Sequence, residues 1–220
     1  ENLIHQVREE KINGVNVTIP YKQKIIPLLD KLSPEAASTQ SVNTIYLKKN
    51  QVTGHNTDIE GFELSIKNAN INFINKEVLV LGAGGVTSSI IYALIKMNVS
   101  KITVTNRTKN KAENLKKLFK NLTIIDWGDS SNFDIIINTT SVGLDKKDEL
   151  PINLTKEKKN KFFFDVIYNP NETNFLKKGN ELGNKTENGK NMFIYQASAA
   201  FNIWHNIQPE INNDVIKLLE

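Results

Sequence analysis

The segment from Val78 to Gly85 reads VLVLGAGG, an apolar strand that runs directly into a glycine-rich turn. In a dinucleotide-binding βαβ unit, such a turn reverses the chain tightly and brings backbone N–H groups close to a pyrophosphate. It also directs the positive end of the following helix at that charge. Gly82, Gly84 and Gly85 stand where these requirements arise, although the third glycine of the full G-x-G-x-x-G pattern is absent. The segment therefore predicts a dinucleotide site, with a tight turn of some other α/β protein as the alternative.

Strands and helices alternate on the C-terminal side of this segment. The apolar pattern predicts strands over 77–81, 101–105, 122–125, 133–138 and 162–166, with helices over 86–97 and 109–120. Apolar strands that alternate with helices indicate a parallel sheet covered on both faces. The predicted fold class is therefore α/β, with a Rossmann-like parallel sheet that binds the nucleotide and a smaller α/β unit before it.

The first sixty residues follow a different pattern. We predict a helix up to about residue 11, a strand over 14–19, a helix over 21–32 that Pro27 kinks or restarts, and a hairpin of 41–47 with 51–54. Thr57 and Glu60 have the spacing of a capping box, which predicts the start of a further helix. The tail over 195–219 is helical in pattern.

Composition excludes several classes of function. The chain has 220 residues with no cysteine, so it has neither disulfides nor a thiolate nucleophile or metal ligand, which is compatible with a reducing cytoplasm. No apolar run is long enough to span a membrane, and the three histidines lack the spacing of a metal site. The net charge of +4 comes from scattered lysines without a basic stripe and stacking aromatics, so we expect no nucleic-acid partner.

The end of the second strand of the unit bears on the choice of cofactor. NAD-binding units carry an acidic residue there, which accepts hydrogen bonds from the ribose hydroxyls. Here the strand ends in Thr105-Asn106-Arg107-Thr108, with Lys111 one turn later and no acid. A guanidinium can hold a 2′-phosphate with two parallel hydrogen bonds, so Arg107 favours NADP over NAD. The alternative is that Arg107 is an ordinary surface arginine.

Two residues in the first part of the chain could carry out acid–base chemistry. Lys22 stands in the first turn of a predicted helix, where a cation faces the positive end of the helix dipole. Asp58 follows Thr57, where it could simply cap the next helix. A lysine and an aspartate brought together could move a proton at a hydroxyl or carbonyl while hydride is transferred. The residues alone leave open whether the two side chains meet.

Several segments, taken together and in this order, resemble the shikimate dehydrogenase family. They cover nearly the whole chain and comprise 16–22 (NVTIPYK), 41–44 (SVNT), 56–61 (NTDIEG), 82–85 (GAGG), 106–108 (NRT), 138–141 (NTTS), 165–168 (DVIY) and 195–197 (YQA).

The resemblance implies reversible reduction of 3-dehydroshikimate to shikimate with NADPH, a step in aromatic amino acid (chorismate) biosynthesis. It implies that Lys22 is the catalytic residue and that Asp58 works beside it. The substrate pocket would be lined by Thr18, Asn43, Tyr168 and Gln196 together with that pair. The cofactor contacts would be Gly82, Ala83, Gly84, Gly85, Val86, Asn106, Arg107, Thr108, Lys111, Val166 and Gly189.

The resemblance also implies a division into two domains. Residues 1–60 and 199–220 would form the substrate-binding domain, and residues 61–198 the NADP-binding domain. The family normally begins with a further strand and a serine pair that binds the substrate carboxylate, so we expect the substrate domain to be incomplete at its N-terminus.

Four positions depart from the family pattern. Ser41 replaces the usual alanine, Gln40 replaces the preceding glycine, and Lys190 replaces the leucine of the usual Gly-Leu-Gly-Met, with Asn191 in place of its second glycine. The remaining alternatives are a quinate/shikimate dehydrogenase that uses NAD and a non-catalytic NADPH-binding relative. The retention of both Lys22 and Asp58 argues against the latter. The sequence does not determine the oligomeric state, and a homodimer is one arrangement compatible with it.

Overall fold

The protein is described here by a computed structural model, which covers residues 2–129, 133–152 and 159–218. Within these residues the strands form two sheets, one of four strands near the N-terminus and one of six strands built from the rest of the chain. No helix in these ranges is long and apolar enough to cross a membrane.

The smaller sheet has the strand order β1-β3-β4-β2. Its strands are β1 (Gly14–Asn16), β2 (Lys31–Leu32), β3 (Thr44–Lys48) and β4 (Gln51–His55). β3 and β4 form the predicted antiparallel hairpin, with Leu47 opposite Val52. Helices α1 (Asn2–Arg8) and α2 (Pro34–Thr39) accompany this sheet. Its buried core comprises Ile4, Val7, Ala36, Val42, Ile45 and Val52.

The helix predicted over 21–32 is wrong. The segment contains turns, a short 3₁₀ helix over Ile26–Leu28 and then β2. Pro27 lies in the first turn of the 3₁₀ helix and has no N–H for a continuing α-helix. Beyond it the backbone pairs with β4, because Asp30 N donates to Val52 O at 2.9 Å. The strand predicted over 14–19 is also shorter, since β1 ends at Asn16.

The larger sheet is parallel at every pairing and has the order β10-β9-β8-β5-β6-β7. Its strands are β5 (Glu77–Leu81), β6 (Lys101–Thr105), β7 (Thr123–Ile124), β8 (Ile135–Asn138), β9 (Phe162–Asp165) and β10 (Lys185–Glu187). The helices α4 (Thr87–Lys96), α5 (Lys109–Leu118) and α6 (Asn174–Glu181) belong to this unit. The predicted α/β class and parallel sheet are thus confirmed.

The central strands are buried on both faces, which explains their uninterrupted apolar sequences. Val78 and Val80 point into one core together with Phe62, Ile90 and Leu94. Leu79 and Leu81 point into a second core on the opposite face, beside Ile136, Phe163 and Phe175. Alternate residues of one strand therefore serve two separate cores.

The helical tail differs from its prediction. Helix α7 begins earlier, over Lys190–His205, and the chain then leaves the helix before the short α8 (Asn213–Lys217). Asn206 ends α7 in the left-handed conformation, with φ of 52°, and asparagine is one of the few residues that tolerates this.

Helix α3 (Asp58–Asn68) packs against α7, and together they connect the two sheets. A Cβ added to Gly61 would lie 2.7 Å from Met192 O and 2.8 Å from Gln196 Cβ. The glycine therefore permits a close approach of the two helices. At its C-terminal end, α7 returns to the smaller sheet, where Trp204 Nε1 donates to Ile45 O at 3.1 Å.

Candidate active site

The glycine loop joins β5 to α4 at the carboxyl edge of the parallel sheet. Gly82 has φ of 113°, which side chains with a Cβ rarely adopt, and its N–H donates to Thr105 O at 2.8 Å. Thr87 occupies the position of the missing third glycine, and its Oγ1 accepts the N–H of Gly84 at 2.9 Å. These bonds hold the turn against the neighbouring strand ends.

Gly84 is exposed at the tip of this loop, and a Cβ added there would meet no atom within 4 Å. The loop therefore leaves open space in front of the N-terminus of α4, where backbone N–H groups and the helix dipole favour an anion. A pyrophosphate fits this arrangement.

The loop after β6 presents the basic residues predicted for cofactor choice. Arg107, Thr108 and Lys111 are exposed, and Asn106 is half-buried with Nδ2 donating to Thr108 O at 2.8 Å. The nearby carboxylate of Asp126 is paired with Lys109 at 2.8 Å, and this hydrogen bond lowers the pKa of Asp126. This acid, which lies beyond β7, is thus already paired with a lysine.

Lys22 and Asp58 meet, although 36 residues separate them in the chain. Lys22 Nζ donates to Asp58 Oδ2 at 2.6 Å, with side-chain exposures of only 12% and 6%. Val42 N anchors the lysine backbone by donating to Lys22 O at 2.9 Å. A nearly buried lysine–aspartate pair can hold and deliver a proton at a substrate oxygen.

Asn43 is the central polar residue around this pair. Its Nδ2 donates to Asp58 Oδ1 and Thr57 Oγ1, both at 2.9 Å, and lies 3.3 Å from Gln196 Oε1 on α7. Its Oδ1 accepts the N–H of Thr57 at 2.8 Å. The predicted capping box is therefore wrong, because Thr57 has helical dihedrals and its hydroxyl bonds to Asn43 instead of capping α3.

The glycine loop and the Lys22–Asp58 pair are adjacent. A Cβ added to Gly85 would lie 3.8 Å from Lys22 Cδ, so the stem of the lysine passes alongside the loop. The structure thus brings together Lys22, Asp58, Asn43, Gln196 and Gly85, all of which the sequence analysis singled out.

The other predicted residues lie at neighbouring positions. Tyr168 stacks on Phe193 of α7 with ring centroids 4.7 Å apart. Val166 and Gly189 are in tight contact, because a Cβ on Gly189 would collide with Val166 O. Thr18 is exposed. Within the described part of the chain, no hydrogen bond joins the side chain of Thr18 or Tyr168 to Lys22 or Asp58.

A buried network that the sequence analysis did not assign to the site supports the loops after β8 and β9. Asp165 is fully buried and accepts hydrogen bonds from Thr173 Oγ1 at 2.7 Å, Ile167 N at 3.0 Å and Asn138 Nδ2 at 3.1 and 3.2 Å. Burial raises the pKa of Asp165 to about 6, although these donors oppose the rise. The available signal was a polar residue ending each of two otherwise apolar strands.

Comparisons with known proteins agree with this architecture. The family model described as "Shikimate dehydrogenase substrate binding domain" matches residues 1–45, and the one described as "Shikimate / quinate 5-dehydrogenase" matches residues 63–176. The NADP(+) shikimate dehydrogenase of Pelagibacter ubique (strain HTCC1062) is 56% identical over 220 residues, which are 100% of this chain and 83% of that protein.

Solved structures agree as well. A shikimate dehydrogenase in complex with NADP+ is 32% identical with a TM-score of 0.90, over 99% of this chain and 79% of that one. The Listeria monocytogenes shikimate 5-dehydrogenase in complex with shikimate and NAD is 28% identical with a TM-score of 0.89, over 99% of this chain and 81% of that one. With a dinucleotide loop beside a buried lysine–aspartate pair and matches of this extent, the chain belongs to the shikimate dehydrogenase family.

Proposed function

We propose that this chain catalyses the reversible NADPH-dependent reduction of 3-dehydroshikimate to shikimate, a step toward the aromatic amino acids. The observation that carries the proposal is the 2.6 Å contact between Lys22 Nζ and Asp58 Oδ2 directly beside Gly85 of the glycine loop. The names and bound molecules of the relatives support the choice of substrate and cofactor.

The cofactor side of the proposal rests on two segments. The pyrophosphate would lie over the loop of Gly82, Ala83, Gly84, Gly85 and Val86. The 2′-phosphate would lie near Asn106, Arg107, Thr108 and Lys111, where positive charge is exposed. Val166 and Gly189 would flank the nicotinamide, because both lie at the carboxyl edge of the sheet, beyond β9 and before α7.

When bound, NADPH supplies the hydride that reduces the carbonyl carbon. In our proposal Lys22 donates a proton to the carbonyl oxygen, so that ketone, hydride and proton together give the hydroxyl group of shikimate. Asp58 holds the ammonium in place and accepts a hydrogen bond from a substrate hydroxyl. In the reverse direction Lys22 takes back the proton, and the carbonyl forms again as hydride leaves.

Asn43 and Gln196 would bind the remaining hydroxyls, since both lie against Asp58. Thr18 and Tyr168 would complete the pocket. We assign residues 1–60 and 199–220 to the substrate-binding domain and residues 61–198 to the NADP-binding domain. The return of Trp204 to Ile45 supports the inclusion of the tail in the former.

The experiment is a spectrophotometric assay of shikimate-dependent NADP reduction by the purified protein and its Lys22→Met variant. We expect turnover in the wild type and a loss of 10²-fold or more in kcat in the variant, since proton transfer by a positioned side chain contributes about 10²–10⁴-fold. NADPH affinity, measured by fluorescence titration, should be little changed.

Lys24→Met is the matched control, because Lys24 is an exposed lysine two residues away. Its kcat should equal that of the wild type. NADPH binding without turnover of shikimate in the wild type would reject the proposed reaction. Turnover of quinate with NAD in preference to shikimate with NADP would replace it by the related dehydrogenase activity.

A further inference from the structure

A group of fully buried polar side chains connects the smaller sheet to the first turns of α4. We call it the polar joint and define it by Thr39, Ser41, Asn56 and Ser89, whose exposures are 0%, 0%, 1% and 0%. None of the four belongs to the residues assigned above to substrate or cofactor.

Asn56 is the centre of the polar joint and forms bonds on three sides. Its Nδ2 lies 2.9 Å from Ser89 Oγ on α4, 3.0 Å from Ser41 O and 3.1 Å from Thr39 Oγ1. Its Oδ1 accepts the backbone N–H of Asp58 at 3.2 Å and the hydroxyl of Ser89 at 3.3 Å. A single amide therefore contacts both the residue that pairs with Lys22 and the helix that begins at the glycine loop.

Ser41 provides a second connection from the smaller sheet to that loop. Its Oγ donates to Gly85 O at 3.1 Å, and its neighbour Val42 binds the backbone carbonyl of Lys22 at 2.9 Å. Two consecutive residues thus hold the glycine loop on one side and the lysine on the other.

These contacts form two paths, which connect the acid–base pair to the glycine loop and to the helix that follows it. In the first path, the side chain of Asn56 is hydrogen-bonded to both Asp58 and Ser89. In the second, Val42 is hydrogen-bonded to Lys22 and its neighbour Ser41 to Gly85. Buried hydrogen bonds of this kind are costly to break, since each leaves an unsatisfied polar group. Breaking them on one side would let the loop shift relative to the pair.

We propose that the polar joint sets the distance between the hydride donor and the Lys22–Asp58 pair, with Asn56 as a positioning residue. The inference rests on the proposed function for its chemistry. Asn56 is fully buried and its polar atoms are bonded to protein groups, so we expect its loss to act on the geometry of the reacting groups and not on binding. A displacement of about 1 Å at a reacting centre can cost on the order of 10²-fold in rate.

The first test compares Asn56→Ala and Ser89→Ala with the wild type in steady-state reduction of 3-dehydroshikimate. We expect kcat to fall about 10- to 100-fold in Asn56→Ala and less in Ser89→Ala, with both KM values within about threefold of the wild type. With NADPH deuterated at the transferred C4 position, the isotope effect on kcat should increase as hydride transfer becomes slower.

Ser65→Ala is the matched control, because Ser65 is a fully buried serine whose Oγ donates within α3 to Phe62 O at 2.8 Å. It removes a buried hydroxyl outside the polar joint, so its kcat and isotope effect should equal those of the wild type. If Asn56→Ala kept the wild-type kcat and isotope effect, or if only its KM values changed, the positioning role would be rejected.

The second test needs no turnover. Hydrogen–deuterium exchange is measured with and without NADPH. In the wild type, NADPH should slow exchange in residues 82–96 and also in residues 56–62, on the other side of the polar joint. In Asn56→Ala the protection at 82–96 should remain while that at 56–62 is lost. Equal protection at 56–62 in both proteins, or none in the wild type, would overturn the proposal. Inactivity of the wild type toward shikimate would instead count against the proposed function.

Discussion

Arg107 is a single exposed side chain to which we assign the choice between two cofactors. It lies two residues beyond the end of β6, and a nearby acid, Asp126, is paired with Lys109. A planar guanidinium can bind a 2′-phosphate with two charge-assisted hydrogen bonds, each stabilising by about 1.5–3 kcal/mol. NADH lacks that phosphate and therefore gains nothing from Arg107.

We expect Arg107→Ala to raise the KM for NADPH by about 10- to 100-fold, on the basis of roughly 1.4 kcal/mol per factor of ten. The KM for NADH should change less than threefold. Lys117→Ala on α5 removes the same charge from a nearby exposed position and serves as the control. Equal losses for the two cofactors in Arg107→Ala would show that the arginine does not recognise the phosphate. Steady-state kinetics with each cofactor provide the measurement.

Asp165 illustrates the opposite case, a fully buried carboxyl group. Its folded-state pKa of about 6 exceeds the usual aspartate value, because burial disfavours the carboxylate. Between these two values the folded protein binds more protons than the unfolded chain. The contribution of this group to stability is thus fully present below the unfolded pKa and is lost as the pH rises through about 6.

The Asp165→Asn variant lacks this titration. We expect the stability of the wild type relative to the variant to fall by about 2–3 kcal/mol between pH 4 and pH 7, since the pKa rises from 3.8 to about 6 and each pKa unit corresponds to about 1.4 kcal/mol. Urea unfolding of both proteins across this range checks the expectation. A constant difference would mean that the donors around Asp165 keep its pKa near the usual value.

At the scale of elements, the glycine loop separates two roles that glycine can have. Gly82 needs its positive φ, and a Cβ there would lie 2.6 Å from Thr139 Oγ1. At Gly84 neither the backbone nor the packing requires glycine, because its φ is not positive and a Cβ there would meet no atom within 4 Å. The first glycine is required by the fold and the second by the ligand that we place over the loop.

Gly82→Ala should therefore lower the free energy of unfolding by about 2 kcal/mol or more, through strain in an unfavourable backbone conformation. Gly84→Ala should keep the stability of the wild type within about 0.5 kcal/mol and weaken NADPH binding at least tenfold. Thermal unfolding and NADPH titration of both variants test the pair. Unimpaired NADPH binding by Gly84→Ala would argue against a pyrophosphate at this position.

The individual strands and helices also show what could be predicted from the sequence. β5 and β6 were predicted at their observed bounds, because buried parallel strands are continuous apolar runs ended by turn residues. Helix α6 was missed because Gly179 interrupts its pattern. That glycine is explained only by packing, since a Cβ there would lie 3.0 Å from Phe163 Cγ. In the segment 21–32, the spacing of apolar residues resembles that of a helix. In the structure, Ile25 and Leu29 pack against the core of the smaller sheet from a segment that is not α-helical.

For the whole molecule, the site depends on contacts between distant parts of the chain. Lys22 and Asp58 could be named from motifs, but their meeting depends on how β3, β4 and α3 are arranged. The role of Asn56 could not be predicted from the sequence beyond its place in a family motif. In a sequence, an asparagine that bonds buried groups on three elements cannot be distinguished from any other loop asparagine. Local patterns therefore predicted most strands and helices of the larger sheet, but they did not predict the polar joint.

The close packing of α3 on α7 leads to a prediction at this scale. Gly61→Ala would place a methyl group 2.8 Å from Gln196 Cβ, which forces the helices apart. We expect a loss of about 1–3 kcal/mol in stability from overpacking, together with a raised KM for shikimate because Gln196 moves. Lys67→Ala, at an exposed position of α3, is the control and should affect neither. Urea unfolding and shikimate kinetics measure both effects.

The loop from Asn106 to Lys111 lies apart from the polar joint, and its described hydrogen bonds and ion pairs stay within its own segment or reach Asp126. On our assignment of the site, a change in this loop would therefore exchange the cofactor while the hydrogen bonds of Lys22 and Asp58 stay unchanged. On that assignment, an acidic residue at 107 would favour NADH over NADPH as the hydride donor.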